Sequence, residues 1–228
     1  MPLMDEFREE REKIKDASPE KKWKYFKDYY LKWVIAGVAT FIVVIILLVD
    51  ILTKKENMLT VMFVNFADQG GTTANIEMPF TNGYLENPRK MEITLETNIY
   101  LPSDSSDYTS QSAAENYSYY QSQQRFSMLL MAGELNLVIT DEKFIMGLAD
   151  ENYTLELGRV YSDDELAAFG DRIVYHDGVP VAIRMDDSAL IRENLVYKGE
   201  NAENARICAA FSSIKRTDLA KQFLSFID

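Results

Sequence analysis

Residues 119–141 read YYQSQQRFSMLLMAGELNLVITD, and this stretch indicates the class of fold. Its first half places apolar residues at helical spacing and ends at Gly133, the residue type that commonly caps a helix C-terminus. Residues 135–140 form a compact apolar run that is typical of a buried strand. Asp141 follows where a new helix would start, and acids are favoured there. The stretch therefore predicts helix, buried strand and helix, the alternation of an α/β protein.

Two further strands are predicted before this stretch. Residues 59–66 (LTVMFVNF) form a β-rich run that ends at the turn-forming residues DQGG. Residues 91–101 (MEITLETNIYL) alternate apolar and polar side chains, so this strand has one wetter face. Residues 74–86, between the two, are expected to form a short, irregular helix because they contain proline and an Asn-Gly pair.

Three elements are predicted after it. Residues 172–185 contain two β-rich runs around Asp177-Gly178, a strong hairpin signal, although Pro180 weakens the second run. Residues 205–213 are a further strand, and residues 217–227 are an amphipathic helix. The sequence thus predicts one mixed-sheet α/β domain over residues 53–228.

Residues 33–52 (WVIAGVATFIVVIILLVDIL) precede that domain and predict a single transmembrane helix that also serves as the signal-anchor. A bilayer requires about 20 apolar residues, and this run carries a single charge, Asp50. Its apolar residues surround the helix, whereas a buried core helix would carry a stripe. A cleaved signal peptide fits poorly, because a long charged segment precedes the run.

The flanking residues predict that residues 1–32 are cytoplasmic and residues 53–228 are extracytoplasmic. Cations cluster before the span and are sparse after it, as the positive-inside rule requires. The cations before it are Lys21, Lys22, Lys24, Lys27 and Lys32. Aromatic side chains expected at the membrane interface are Trp23, Tyr25, Phe26, Tyr29, Tyr30 and Trp33. Further towards the N-terminus, residues 5–15 are charged, and Glu9 and Lys13 have the spacing of a helical ion pair.

Composition excludes several classes of function. Residues 53–228 carry a net charge of −12, equal to that of the whole chain, which argues against a nucleic-acid partner. One cysteine, Cys208, and one histidine, His176, exclude an internal disulfide and a metal site built from several such ligands. Cys208 lies in an apolar run, and His176 lies beside a predicted turn. Nucleotide-binding motifs are also missing. We therefore expect no enzymatic activity, no catalytic residues, no metal and no cofactor.

Several stretches resemble one lobe of the extracytoplasmic solute-binding proteins with the periplasmic-binding-protein type II fold. The helix-Ala-Gly-strand run of residues 119–141 is similar to that family, as are GRVYSDDELAAF, HDGVPVAIRMDDSAL and IKRTDLAKQFLSFI. The whole chain, with FREEREKI and KKWKYFKDYYLKWVI before the span, resembles uncharacterised membrane-anchored proteins of Gram-positive anaerobic bacteria. Residues 53–228 are too few for two full lobes, so the resemblance implies a reduced, one-lobed version.

The resemblance implies where a ligand would bind. Open α/β sheets hold ligands at the carboxyl ends of their strands. The residues at these positions after the first and third predicted strands are Asn65, Asp68, Gln69, Thr140 and Asp141. Ordinary loop and capping roles are the alternative for all five.

Two functions are compatible with these observations. The first is a single-pass membrane protein whose outer domain binds a small solute, a peptide or an envelope component. The second is an interaction or scaffold subunit of a membrane-protein complex, in which ligand binding has been lost. A concave pocket with convergent polar groups would favour the first, and a broad apolar patch would favour the second.

Overall fold

The computed structural model describes residues 18–102, 113–199 and 202–228. The chain divides into two compact units, Met1–Lys54 and Lys55–Asp228. The predicted helical segment at residues 5–15, with its Glu9–Lys13 pair, lies outside the described residues.

The first unit is helical throughout its described part. Helix α1 spans Pro19–Tyr25, a π-helical turn spans Phe26–Tyr30, and α2 spans Leu31–Thr53. Pro19 occupies the first turn, where its missing N–H costs no hydrogen bond. Within α2, residues Leu31–Val49 are long and apolar enough to span a membrane, and none of that stretch is buried by the protein. The predicted apolar helix near the N-terminus is therefore present.

The second unit is built on a mixed six-stranded sheet. Its strands lie in the order β3 (Met91–Ile99), β1 (Glu56–Val64), β4 (Leu137–Asp141), β8 (Ile207–Phe211), β6 (Val179–Arg184) and β5 (Ile173–His176). Strand β1 pairs in parallel with both β3 and β4, and the remaining pairs are antiparallel. The predicted mixed sheet is thus confirmed.

A second, two-stranded antiparallel sheet pairs β2 (Phe66–Asp68) with β7 (Leu195–Tyr197). The predicted strand at residues 59–66 is therefore two strands, separated at Asn65. Asn65 has a φ of 63°, a left-handed conformation that asparagine tolerates better than most residues.

Helices cover both faces of the six-stranded sheet. A π-helical turn (Thr73–Glu77) leads into α3 (Met78–Tyr84), and α4 (Ala113–Met131) and α5 (Glu142–Asp150) flank β4 in sequence. Later helices are α6 (Asp163–Phe169), α7 (Ala189–Asn194) and α8 (Thr217–Ile227). The predicted irregular helix at residues 74–86 therefore corresponds to the π-helical turn and α3.

Two apolar cores result, one on each face of the sheet. Leu59, Val61 and Phe63 of β1 enter one core, which also contains Phe80 of α3 and Phe223 of α8. The alternate residues of β1 enter the second core against α4 and α5. From Leu59 onward β1 is buried on both faces, and residues 61–64 form a continuous apolar run, as expected for a central parallel strand.

Residues with positive φ form two of the turns that connect these elements. Asp177 and Gly178 both have positive φ, 49° and 81°, as the predicted hairpin between β5 and β6 requires. Pro180 lies opposite Tyr175, where the pairing is irregular, because proline cannot donate a ladder hydrogen bond. Gly133 follows α4 with a φ of 62°, as the predicted C-cap glycine does.

Candidate functional site

Strands β1 and β4 are parallel neighbours, so their carboxyl ends lie at the same edge of the sheet. From β1 the chain passes to β3 on one side and then returns to β4 on the other side. Such a reversal of strand order is where open α/β sheets form a crevice. Asn65 follows β1 directly, and Thr140 and Asp141 end β4, so the structure brings these predicted ligand residues to one edge.

Asn65 uses its amide within the protein. Its Nδ2 donates to the Leu101 carbonyl at 2.7 Å, and its Oδ1 accepts from the Leu101 N–H at 2.8 Å. Its backbone N–H donates to the Ile99 carbonyl, and its carbonyl accepts from the Lys198 N–H, each at 2.7 Å. Asn65 is buried and ties the end of β1 to the residues that follow β3 and β7.

Asp68 ends β2, and Gln69 lies on the turn that follows. The Asp68 carboxylate accepts hydrogen bonds from the Gly70 N–H at 2.9 Å and from the Thr72 hydroxyl at 2.6 Å. Partial desolvation opposes ionisation, but these hydrogen bonds outweigh it and lower the pKa of Asp68. The Gln69 N–H donates to the Asn194 carbonyl at 3.0 Å. Both residues therefore support the turn between β2 and the helical segment that ends in α3.

Asp141 connects three elements at the end of β4. One carboxylate oxygen accepts from the Phe144 N–H at 3.0 Å and caps α5. The other accepts from the Tyr197 hydroxyl of β7 at 2.6 Å and from the Thr140 hydroxyl at 3.4 Å. Asp141 is only 6% exposed, so these contacts satisfy a carboxylate that lies largely away from solvent.

Tyr197 has no signal in the sequence that would have identified it. It comes to Asp141 because β7 pairs with β2, and its ring packs on Phe66 with the centroids 5.2 Å apart. The five predicted residues and Tyr197 all make hydrogen bonds within the protein at this part of the sheet edge.

A cavity of about 310 Å³ lies beside Ile183 of β6 and Met185, which follows that strand. We call it the α6–α8 cavity, because residues of these two helices form its sides. Its lining residues are Tyr161, Glu165, Phe169, Arg172, Ile183, Met185, Lys221, Gln222, Leu224, Ser225 and Asp228. Its volume lies at the lower end of the range for ligand pockets, which begins at about 300 Å³.

The ionic groups of the α6–α8 cavity form two pairs. Arg172 makes a bidentate contact with Asp228, with Nη2–Oδ1 and Nη1–Oδ2 distances of 2.6 and 2.9 Å. The Lys221 ammonium contacts the Glu165 carboxylate at 2.5 Å. This contact, together with hydrogen bonds from Ser162, lowers the pKa of Glu165 to about 2. Each pair therefore joins one basic and one acidic side chain within the cavity.

Aromatic rings form another part of the cavity. Tyr161 and Phe169 meet edge to face with their centroids 5.2 Å apart, and the Lys221 ammonium lies 4.6 Å from the centroid of Tyr161. Burial, reinforced by the Glu165 and Asp228 carboxylates, raises the pKa of Tyr161. Tyr161 is therefore a neutral phenol that can donate a hydrogen bond. Sequence reasoning missed this cavity because its residues are far apart in the chain and form no motif.

A second cavity, also of about 310 Å³, lies between α4 and α5. Its lining is mostly apolar and includes Phe126, Leu130 and Phe144. Met131, which is 85% exposed, and Tyr153 lie at this cavity. We call it the α4–α5 groove.

The two residues with the best-known catalytic chemistry make structural contacts. His176 Nε2 lies 3.2 Å from an Asp150 carboxylate oxygen, beside the β5–β6 hairpin. Cys208 is fully buried in β8, and burial raises the pKa of its thiol, so the reactive thiolate is suppressed. Among the residues that the structure describes, no group of three His, Cys, Asp or Glu residues is arranged to hold a metal ion.

The predicted interface aromatics lie on the helix before and at the start of α2. Trp23, Phe26 and Tyr30 stack in sequence, with centroid distances of 5.8 and 6.3 Å. Tyr25 contacts Tyr30 at 5.8 Å, and Trp33 is 78% exposed. The side chain of Tyr29 lies outside the described part of the chain.

These observations define an α/β domain with a mixed sheet, in a chain that also carries one apolar helix near its N-terminus. No protein-family model, curated protein or solved structure matches the chain.

Proposed function

We propose that the chain is a single-pass membrane protein whose extracytoplasmic α/β domain binds a small ligand, without catalysis, in the α6–α8 cavity. The observation that carries the proposal is the cavity itself. It combines an apolar floor, aromatic rings and charged groups, which is the composition of sites that hold small molecules.

The membrane part of the proposal rests on α2 and on the charges beside it. Leu31–Val49 has the length and composition of a span. Lysines cluster before it, whereas Lys54 and Lys55 are followed by an acidic domain. The stacked aromatic side chains of Trp23, Phe26 and Tyr30 suit the headgroup region that such a helix would enter. This arrangement supports a cytoplasmic N-terminus.

The topology of the sheet supports kinship with a reduced lobe of a type II solute-binding protein. The strand order reverses at β1. Strands β3, β1 and β4 are parallel to one another, and β8 pairs with β4 in the antiparallel direction. The ligand in this proposal lies at the end of β6, because the ends of β1 and β4 are held by internal hydrogen bonds of Asn65 and Asp141.

The absence of catalysis is proposed from the surroundings of the single cysteine and the single histidine of the sequence. Cys208 is buried with a raised pKa, and His176 faces Asp150 at the hairpin, outside the residues that line the cavity. An acyl-transfer mechanism needs a nucleophile with a base beside it.

A ligand screen, repeated with a variant in which the cavity is filled, tests this proposal. Full-length chain in detergent micelles is screened for thermal stabilisation by amino acids, short peptides, amines, carboxylates and sugars. We expect at least one class to stabilise the native chain, and Gln222→Trp, which places a large ring at the cavity, to abolish the effect. Asp218→Trp on the same helix lies outside the cavity and serves as the matched control. Stabilisation that survives Gln222→Trp, or no stabilisation by any class, contradicts the proposal.

A scaffold subunit is the second candidate, and the α4–α5 groove favours it. Met131 at this groove is exposed, and Met128 and Tyr120 are further exposed apolar side chains of α4. If the domain docks a membrane-protein partner there, the native complex migrates above the size of the chain alone on a native gel. Met131→Glu would then restore the smaller size, whereas the exposed Tyr175→Glu would not.

A further inference from the structure

The α6–α8 cavity holds four ionic side chains, and their charges cancel. Arg172 and Lys221 are positive, and Asp228 and Glu165 are negative. All four are partly open to solvent, with side-chain exposures between 23% and 45%. Ion pairs with this exposure contribute little to stability, so a ligand can open one of them at small cost.

The charge of the ligand decides whether opening a pair leaves a charge without a partner. A neutral molecule cannot replace either member of a pair. A monoanion that takes Arg172 displaces the Asp228 carboxylate and lies beside it, and two like charges at such a distance repel. A monocation that takes Asp228 leaves the Arg172 guanidinium without its partner in the same way. Only a molecule with both charges satisfies both groups.

We propose that the ligand of the α6–α8 cavity is a small zwitterion whose carboxylate binds Arg172 and whose ammonium group binds both Asp228 and Glu165. This inference rests on the proposed function of the cavity. Arg172 is suited to the carboxylate because its planar guanidinium already makes a bidentate contact with one. Asp228 and Glu165 line the same cavity as Arg172, so both carboxylates are available to the ammonium group.

The remaining surface of the cavity specifies the body of the ligand. Ile183, Met185 and Leu224 offer apolar contacts, and Phe169 and Tyr161 offer rings. The volume of about 310 Å³ equals the share of about ten water molecules in the liquid. This suits a ligand of about ten non-hydrogen atoms with an aliphatic side chain, such as an amino acid with a branched apolar side chain.

A monocation is the strongest rival, because Asp171 and Asp187 add further negative charge near Arg172. Three compounds with the same isobutyl group separate these possibilities by calorimetric titration of the full-length chain in micelles. L-Leucine carries both charges, 3-methylbutylamine carries only the ammonium, and 4-methylpentanoate carries only the carboxylate. We expect L-leucine to bind at least about tenfold more tightly than either analogue.

Two substitutions test which residues of the protein bind the charged groups of the ligand. Glu165→Gln can keep the capping hydrogen bonds of α6 while removing the charge, and Arg172→Lys keeps the charge while removing the bidentate geometry. We expect Arg172→Lys to weaken L-leucine more than 3-methylbutylamine, and Glu165→Gln to weaken both amines but not 4-methylpentanoate. Asp164→Asn, exposed on the same helix, is the control.

The outcomes separate the two proposals. Equal binding of L-leucine and either analogue overturns the zwitterion. Binding of a neutral or singly charged compound that Gln222→Trp abolishes, without binding of L-leucine, also overturns it but leaves the cavity as the ligand site. No binding of any compound class overturns both.

Discussion

Asp141 joins a strand, a helix and a second sheet through one carboxylate. It ends β4, caps α5 through the Phe144 N–H, and accepts the hydroxyl of Tyr197 from β7. Burying a carboxylate costs free energy unless its oxygens accept hydrogen bonds. The Tyr197 hydroxyl therefore offsets part of the cost of burying Asp141. The residue that supplies it follows Asp141 by more than fifty positions.

Replacing Tyr197 by Phe should therefore lower the free energy of unfolding by about 1–2 kcal/mol, because it removes a hydrogen bond to a charged acceptor. Urea unfolding of the full-length chain in micelles, followed by tertiary-structure signals, measures the change. Tyr175→Phe is the matched control because Tyr175 is 56% exposed. Equal unfolding midpoints for the two variants would show that the Tyr197 hydroxyl contributes nothing.

Glu165 gives a pH dependence with a defined sign. Lys221 and Ser162 lower its pKa from 4.5 to about 2 in the folded protein. A carboxylate with a lowered folded-state pKa stabilises the protein above its unfolded-state pKa, and this contribution is lost as the pH falls towards the folded-state pKa. The affected window is therefore from about pH 4.5 down to about pH 2.

The thermal midpoint of Glu165→Gln should accordingly fall less steeply than that of the native chain over this window. At pH 7 the native chain should be the more stable of the two, and the gap should narrow on acidification. Asp164→Asn should follow the native curve, because Asp164 is an exposed carboxylate of the same helix. Parallel curves for Glu165→Gln and the native chain at every pH would refute the prediction.

The turn that leads to α3 depends on a close approach at Gly71. A Cβ at this position would lie 2.3 Å from Asn194 Oδ1 and 2.9 Å from Asn75 Nδ2. These two side chains are hydrogen-bonded to each other at 2.7 Å and link the π-helical turn to the end of α7. Glycine is therefore needed here for space.

Gly71→Ala should lower the free energy of unfolding by about 1–3 kcal/mol, because the new methyl group forces the Asn75–Asn194 pair apart. Gly83→Ala is the matched control, since no atom lies within 4 Å of its Cβ position in α3. That change should be neutral or stabilising, because alanine favours a helix. A similar loss in both variants would mean that space at Gly71 is not the cause.

Several elements could be predicted from the sequence because their signals are local. The helix that ends at Gly133, the Asp177-Gly178 hairpin and the amphipathic helix α8 all follow from residues within a few positions of one another. The pairing of β2 with β7 could not be predicted, because it joins three-residue strands that are far apart in the chain. The strand order of the main sheet could not be predicted either, because several of its pairs join strands that are far apart in the chain.

The candidate sites likewise combine features that could be predicted with features that could not. The meeting of β1 and β4 at one edge followed from a general rule for parallel strands. The internal partners of Asn65 and Asp141, and the charged groups of the α6–α8 cavity, depend on contacts between distant residues. No spacing in the sequence encodes them.

The whole chain combines an apolar helix, preceded by lysines, with a domain whose net charge of −12 equals that of the whole chain. The cluster of lysines before the helix predicts that residues 1–32 stay in the cytoplasm and that the domain is translocated. Alkaline phosphatase fused after Asp228 should be active, and a green fluorescent protein at the same position should be dark in a bacterial host that exports through the general secretory pathway.

The same reporters fused to the N-terminus provide the control and should give the opposite pattern. Replacing Lys21, Lys22, Lys24, Lys27 and Lys32 by Gln should reduce the phosphatase activity of the C-terminal fusion, because it removes the charge difference that orients the helix. A fluorescent C-terminal fusion with inactive phosphatase would place the domain in the cytoplasm.

The burial of Cys208 makes the molecule convenient for site-directed labelling. It is the single cysteine of the chain, and it is inaccessible, with a thiol that resists ionisation. A maleimide dye applied to the folded protein should therefore react slowly with the native chain. A cysteine introduced at the exposed position of Ser225, at the α6–α8 cavity, would carry the dye alone, and its fluorescence would test the ligand binding proposed for this cavity.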